Sequence, residues 1–404
     1  MRICMVTTRH RLDDARIVHK EAVSLRQGGH EVVLVYTCDN AWQYRRFDGK
    51  VLAIGRAPDG ETVHEGFRVL GLPKRSLARK YWMYRALVDL AVSVEADVYH
   101  AHEPDISLAV AVRAKALLSA RGRPALVVHD MHECPPGGRV DLSPRWLRVS
   151  LRAALSGWDR HLANSVDHVF TVNPVLRDYA LLLSQHAPVD VLYNGPVLRL
   201  FPQLEPPHWP GPPAPLVLSY EGSLGFSRGL KEMVLAVDHL RDRVQLRIVG
   251  DVFGACRDWL DAEVRRRGLE RAVTRTGWLQ YTQVGDAVRS GHAGIILFRE
   301  SPNNVLATPN KLFNYMNAGL PVLSVGFPEL RRIIGDERCG VLVADQSVDA
   351  IVRGIEALLA AGPDALRAMG KSGQRAIRER YSWEVMERTM LAAYDEMATQ
   401  LGRH

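Results

Sequence analysis

Strand-like apolar runs alternate with amphipathic helical stretches, stop at a tract of prolines, and then start again. This interrupted rhythm constrains the fold more than any other feature of the chain. Ile3–Thr7 reads as a strand, Ala15–Gln27 as a helix stopped at Gly28-Gly29, and Glu31–Tyr36 as a strand. A strand near Val98–His100, a helix from about Ile106 to Leu118 and a strand over Ala125–His129 follow. Such alternation implies a parallel sheet with helices on both faces, and ligands bind such sheets beyond the carboxyl ends of the strands. The tract PVLRLFPQLEPPHWPGPPAPL, Pro196 to Leu216, holds too many prolines for regular structure and reads as a stiff, extended linker. The pattern resumes with strand Leu216–Tyr220, helix Gly229–Leu240 and strand Leu246–Val249. Strands are expected at Ala293–Phe298 and Val322–Val325, and helices at Asp258–Arg267, Val348–Ala361 and Ser382–Leu401. A chain of 404 residues is too long for one ordinary core. The expected layout is a first α/β domain over 1–195, a linker over 196–215 and a second α/β domain over 216–381, with the cleft between them as the default site.

Composition narrows the partners. The net charge of +7 favours anions but is spread along the chain. No Lys/Arg tract resembles a nucleic-acid arm and no zinc-finger spacing occurs, so no nucleic-acid partner is expected. The five cysteines form no CxxC pair, which suggests neither a disulfide framework nor a zinc site and fits a reducing cytoplasm. The apolar run Ile3–Val6 is too short for a signal peptide, and no segment is long enough to span a bilayer. LPKRSLARKYWMYRALVDL, Leu72 to Leu90, mixes basic and aromatic residues and could lie on anionic lipid. A solvated helix packed on its own domain is the favoured reading, with charges at Lys74, Arg75, Arg79 and Lys80 the test of it.

Four stretches follow expected strands, where a site should lie: Thr7–Ile17 (TTRHRLDDARI), His100–Asp105 (HAHEPD), His129–Pro136 (HDMHECPP) and Glu221–Leu230 (EGSLGFSRGL). In the last, Gly222, Gly225 and Gly229 allow close backbone approach, and Arg228 can pair with phosphate oxygens. A fifth stretch, ATPNKLFNYMNAGLPVLSV over Ala307–Val325, starts a helix at Pro309 and Asn310, closes it at Gly319 and runs into strand Val322–Val325. Lys311 then lies in the first helical turn, beside partial positive charge, which is a ready site for phosphate. The plain alternative is an ordinary α/β unit with a solvated lysine. Asp13 and Asp14 fit helix capping as well as binding, and His100 and His102 fit structural roles. His129, His132 and Glu133 have metal-like spacing, but on a strand-to-loop segment rather than one helix face, so no metal is expected.

Taken together, DDARIVHKEAVSLRQGGHEVVLV, VVHDMHE, YEGSLGFSRGL, LRIVGD and PNKLFNYMNAGLPV make the chain resemble the GT-B glycosyltransferases, in particular the large retaining family 4 group. The resemblance covers nearly the whole chain. It implies two Rossmann-like domains with parallel sheets facing an interdomain cleft, a nucleotide-sugar donor held mainly by the second domain, and a last helix, about 382–404, crossing back to the first.

Carried over by position, the resemblance places His132 near the donor sugar, Gly222 in the phosphate-facing loop, and Arg228 and Lys311 at the diphosphate. It places Trp278 near the nucleotide base. Ser223, Leu224, Gly250, Glu300, Thr308, Pro309, Asn310 and Asn314 are further donor-side positions. Thr8, Arg9, His10, Asp13, Asp14, His102 and Glu103 are acceptor-side candidates. Two departures stand out. Ser223 replaces a frequent arginine, and Leu306 and Asn314 occupy the places of two glutamates, one near the donor sugar and one on the ribose hydroxyls. Asn314 can hydrogen-bond ribose without a carboxylate's charge.

The implied activity is retaining, metal-independent transfer of a sugar from a nucleoside diphosphate, UDP or GDP in first place, to a saccharide or small-molecule acceptor, with specialised metabolism a possible setting. No cofactor is expected. The competing readings are an epimerase or phosphorylase of the same fold, and a binding protein that has lost turnover.

Overall fold

The computed structural model describes all residues except 13, 39–42, 46–50, 54–60, 74–79, 104–105, 133–159, 185 and 404. The chain divides into two compact units, Met1–Tyr193 with Met386–His404, and Asn194–Val385.

The first unit contains strands β1 (Arg2–Thr7), β2 (Glu31–Cys38), β3 (Gln43–Arg45), β4 (Val51–Ala53), β5 (Glu61–His64), β6 (Phe67–Pro73), β7 (Val98–Ala101), β8 (Leu126–Met131), β9 (His168–Thr171) and β10 (Val189–Val191). Eight of them form one sheet in the order β10-β9-β8-β7-β1-β2-β6-β5, parallel except for the β5–β6 pair. β3 and β4 pair separately. Strands such as β1 are buried along nearly their whole length, as a sheet covered on both faces requires. Helices Lys80–Ser93 and Ile106–Ser119 cover the sheet through Leu87, Ala91, Leu108 and Val110. The expected first helix begins later, at Ile17, as a π-helical turn before Val23–Gln27. Ser24 donates to the carboxylate of Glu387, which ties this helix to the C-terminal segment of the same unit.

The second unit holds β11 (Leu216–Glu221), β12 (Val244–Val249), β13 (Val273–Arg275), β14 (Ala293–Ile296), β15 (Val322–Val325) and β16 (Gly340–Val343), all parallel, in the order β13-β12-β11-β14-β15-β16. Numbered from its own first strand this is 3-2-1-4-5-6, and the order reverses between β11 and β14. A crevice opens at such a reversal because the crossover helices on either side of it lie on opposite faces of the sheet. In the first unit the reversal falls between β1 and β7.

Helix Asn310–Ala318 begins after Pro309 and ends at Gly319, whose φ of 73° is the left-handed cap that a glycine adopts without strain. Val348–Ala376 runs past the expected Ala361, kinked at Gly362 before Pro363. The proline-rich tract has no regular structure, yet it is packed rather than extended away. Trp209 is buried and donates Nε1–H to the Ala214 carbonyl, and a Cβ on Gly319 would meet Pro206 at 2.9 Å. Burying one such large side chain contributes about 2 kcal/mol or more. Among the described residues no helix is long and apolar enough to cross a membrane. Lys74, Arg75 and Arg79 of the basic–aromatic stretch lie outside the described residues. Tyr81 and Trp82 next to them are exposed.

Candidate functional site

Each unit gathers polar side chains where its strand order reverses. In the second unit the cluster starts at Glu221, the last residue of β11. Its backbone N–H donates to the Tyr315 hydroxyl at 2.7 Å, which fixes helix Asn310–Ala318 against the strand. Gly222 follows with φ 97°, and the Tyr220 hydroxyl donates to the Ser223 carbonyl at 3.1 Å, closing the turn. Gly250 lies so close that a Cβ there would sit 2.4 Å from the Gly222 carbonyl oxygen, at φ 143°. Gly250→Ala is therefore expected to displace the Gly222 turn and destabilise the protein by about 2 kcal/mol. An unchanged thermal melt would refute this packing.

Lys311 lies in the first turn of its helix and is only 7% exposed. Its Nζ sits 3.8 Å from the Tyr220 ring centroid and 5.5 Å from that of Phe298. A Cβ on Gly222 would lie 3.8 Å from the same nitrogen. Arg228, at the end of the short turn Phe226–Arg228, sets its guanidinium over Phe298 at 4.6 Å. Burial pulls the Lys311 ammonium down to about 7; the Glu221 carboxylate opposes that shift and the Arg228 charge adds to it. Burial raises the Glu221 carboxyl, with Lys311 and an Asn314 hydrogen bond holding it back. Asn314 Nδ2 donates to Glu221 Oε1 at 2.8 Å.

Gly222, Lys311 and Asn314 thus come together around Glu221, and Arg228 joins Lys311 at Phe298. Glu221 was not singled out from the sequence, although a carboxylate ending a strand directly before a glycine turn is a readable signal. Leu224 is buried and its N–H donates to the Asp251 carbonyl at 3.1 Å, so its side chain packs inward. Thr308 Oγ1 is buried without a hydrogen-bond partner among the described residues. Pro309 precedes the helix, while Ser223, Asn310, Trp278 and Glu300 are exposed.

In the first unit Glu103 accepts from the backbone N–H groups of Thr8 at 3.1 Å and Arg9 at 2.8 Å, and from the hydroxyls of Thr7 and Ser107. The turn after β1 therefore presents its N–H groups to the protein's own carboxylate. Burial would raise the Glu103 carboxyl, but these hydrogen bonds win and hold it low. His102 is 1% exposed, with Nδ1 3.6 Å from Glu21 and 3.5 Å from Asp130. Both acceptor-side candidates, His102 and Glu103, are thus buried, and Glu103 organises the turn. Thr8 is buried too, and its carbonyl accepts from Thr37 Oγ1 at 2.8 Å. Asp14 Oδ1 accepts from the N–H groups of Arg16 and Ile17, so the capping reading holds, and Oδ2 meets His10 Nδ1 at 3.1 Å. Asp13 lies outside the described residues, and Arg9 is exposed.

His132 hydrogen-bonds Asp130 Oδ2 through Nε2, and its ring meets that of His10 edge-on at 4.9 Å. Arg16 binds the same aspartate through Nε at 2.8 Å and Nη2 at 2.7 Å, and lies 2.8 Å from Glu21. Burial would raise the Asp130 carboxyl, but Arg16 first and then His132 hold it well below the carboxylate range. Burial and the Asp130 charge together push Glu21 well up, against Arg16. Glu21, His100, His102 and Asp130 bring their ligand-type atoms within 4.8 Å of one another. Arg16 already sits between the two carboxylates, and its fixed charge would repel a divalent ion. His100 Nδ1 lies 2.8 Å from the Tyr394 hydroxyl, the structural role the sequence left open. Glu133 lies outside the described residues.

Comparison with known proteins agrees with this architecture. A family model described as Glycosyltransferase Family 4 matches residues 15–197, and one described as Glycosyl transferases group 1 matches 215–361. An uncharacterized glycosyltransferase of Methanocaldococcus jannaschii is 21% identical over 187 residues, so the chain spans about half of that relative, 46% of its length. Among solved structures, sucrose-phosphate synthase from Thermosynechococcus elongatus is 16% identical with a TM-score of 0.72, covering 99% of each chain. A glycosyltransferase from Rickettsia africae is 13% identical at 0.69, covering 98% of each. Anabaena HepE, solved in complex with UDP, is 14% identical at 0.68, covering 98% of this chain and all of that one. At these identities the solved structures show the fold alone.

Proposed function

We propose, from the premise that this chain belongs to the GT-B glycosyltransferases of the family 4 type, that it moves a sugar from a nucleoside diphosphate to a small-molecule or saccharide acceptor with retention at the anomeric carbon. The observation that carries the reading is the pair of cations, Lys311 and Arg228, converging on Phe298 beside the Gly222 turn at the strand-order reversal. Anabaena HepE is described with UDP and with UDP-glucose, which supports UDP as a first donor to test.

In the proposed reaction the bond from the anomeric carbon to the β-phosphate oxygen breaks, and its electron pair leaves with the diphosphate. The acceptor heteroatom bonds the same carbon from the face the diphosphate leaves, and its proton passes to a phosphate oxygen. Negative charge therefore grows where Lys311 and Arg228 lie. Fixed cations there stabilise the transition state more than the ground state, in the role a metal ion otherwise fills. His132, Arg9, His10 and Asp14 are the first-unit groups we assign to the donor sugar and acceptor, and the soluble cytoplasm is the setting we infer.

A thermal-shift screen against UDP, GDP, ADP and TDP tests the nucleotide. The matching diphosphate at a hundred times its Kd stabilises by about 2.7 kcal/mol. Acceptor-dependent release of that diphosphate from its sugar, with the sugar found on the acceptor, separates transfer from epimerisation and from binding without turnover. No shift with any of the four would end the proposal.

A further inference from the structure

Helix Lys80–Ser93 has two faces of unequal character. Met83, Leu87, Val88 and Ala91 are buried and pack it into the core of the first unit. A helix packed in this way ordinarily turns charged and polar side chains to water. Here the outer side begins with Tyr81 and Trp82, 64% and 62% exposed, whose rings meet edge-on at 6.1 Å. Adjacent aromatics left in water forgo the burial that stabilises such side chains elsewhere, so a surface that covers them is favoured.

The charges around the pair select the cover. Arg85 lies one turn on from Tyr81 and Trp82, on the same face, and is exposed. The Tyr84 hydroxyl reaches the Ala109 carbonyl of helix Ile106–Ser119 at 3.5 Å, and the charge of the exposed Arg113 on that helix bears on the same hydroxyl. Neither arginine has an ion-pair partner among the described residues. From Gly66 to Val88 the sequence holds six Lys or Arg and no Asp or Glu, so no local carboxylate offsets them. A second copy of the chain would bring these cations against themselves. Rings with an apolar body and a polar tip, set among unpaired cations, match the headgroup layer of an anionic bilayer. The rings enter the boundary with the acyl chains, and the guanidinium groups stay with the phosphates.

We propose that Tyr81, Trp82, Arg85 and Arg113 form a docking surface that holds the first unit reversibly on an anionic membrane. The contact is peripheral, because the helix keeps its other face in the core and the rings reach only the interface. Each arginine near the surface should raise partitioning about fivefold, an effect that salt weakens.

The test mixes the full chain with vesicles of phosphatidylcholine alone, or of phosphatidylcholine and phosphatidylglycerol in equal parts, and sediments the bound protein. The parent should bind the anionic vesicles at least about tenfold more tightly than the neutral ones, and the difference should shrink as salt rises. Arg85→Gln combined with Arg113→Gln should cost about 10- to 30-fold on anionic vesicles. Tyr81→Ser combined with Trp82→Ser should cost about tenfold. All four side chains are exposed, so both double variants should melt with the parent. Lipids brominated in their acyl chains should quench part of the parent's tryptophan emission, and Trp82→Phe should remove that quenching while still binding. A parent that ignores both vesicles, or does not distinguish them, would overturn the assignment, as would double variants that bind as the parent does. So would a concentration-dependent dimer that the serine variant abolishes, since the aromatic pair would then belong to a second copy of the chain.

Discussion

Lys311→Met should cut the proposed sugar transfer by about a hundred- to a thousandfold in kcat while raising the melting temperature of the free protein. The two effects share one cause. The ammonium is almost wholly buried, over Tyr220, and burial lowers it from 10.5 to about 7. Between pH 7 and 10.5 the unfolded chain holds more protons at this position than the folded one, so stability rises with pH across that window. Below pH 7 the folded state bears the full cost of the buried charge. Methionine keeps the volume and removes that cost, so the gain in melting temperature should be largest at or below pH 7, roughly 3 °C or more, and shrink towards pH 10. A bound diphosphate reverses the balance by supplying the missing counter-charge. Binding at pH 8 should then take up a proton, read by calorimetry in two buffers of different ionisation enthalpy, and Lys311→Met should abolish the uptake. A variant that melts lower than the parent at every pH, or keeps full turnover, would show that this lysine does not serve the leaving group.

Much of this arrangement was legible in the sequence, because the signals were local. Strand periodicity, Gly319 at a helix end and Pro309 at a helix start fix the second-unit site through interactions a few residues long. Arg228 and Lys311 are brought to one place because they follow different strands that flank one reversal, which topology alone supplies. Glu221 was missed because its role depends on Asn314, 93 positions away, and on burial that no local pattern reports. The first unit was less legible. Asp14, His100 and His102 fitted structural as well as binding roles, and Glu103 stood only as an acceptor-side candidate. Glu103 instead satisfies three N–H groups of the neighbouring turn, and His102 packs on His100 with ring centroids 4.6 Å apart. Nothing in HAHEPD by itself separates a ligand from a strut. Arg16, buried between Glu21 and Asp130, lies in the candidate stretch Thr7–Ile17 but was not itself singled out.

Asp130→Asn is the complementary experiment in the first unit, and its effect should divide into two parts. One is structural. Arg16 is 3% exposed and keeps its charge, so loss of one of its two carboxylates leaves it half-paired in the interior. Breaking a buried pair in this way costs about 3 kcal/mol. Glu21 softens the loss: the Asp130 charge is one reason its carboxyl is raised, so it ionises more readily once that charge is gone. The second part concerns His132. Asp130 positions the His132 ring through its hydrogen bond with Nε2, and an amide in its place would hold the ring less firmly. Turnover should fall about a hundredfold at pH 7.5 if His132 serves the donor sugar or the acceptor. Stability and turnover separate in the double variant. Asp130→Asn combined with His132→Gln should be no slower than His132→Gln alone, because the aspartate acts through the histidine, yet should melt lower than it by the full structural cost. Multiplying rate losses would mean that Asp130 works through Arg16 and the turn after β1 instead, with His132 a bystander. Purified single and double variants, compared by thermal melting and by acceptor-dependent diphosphate release, decide between these outcomes.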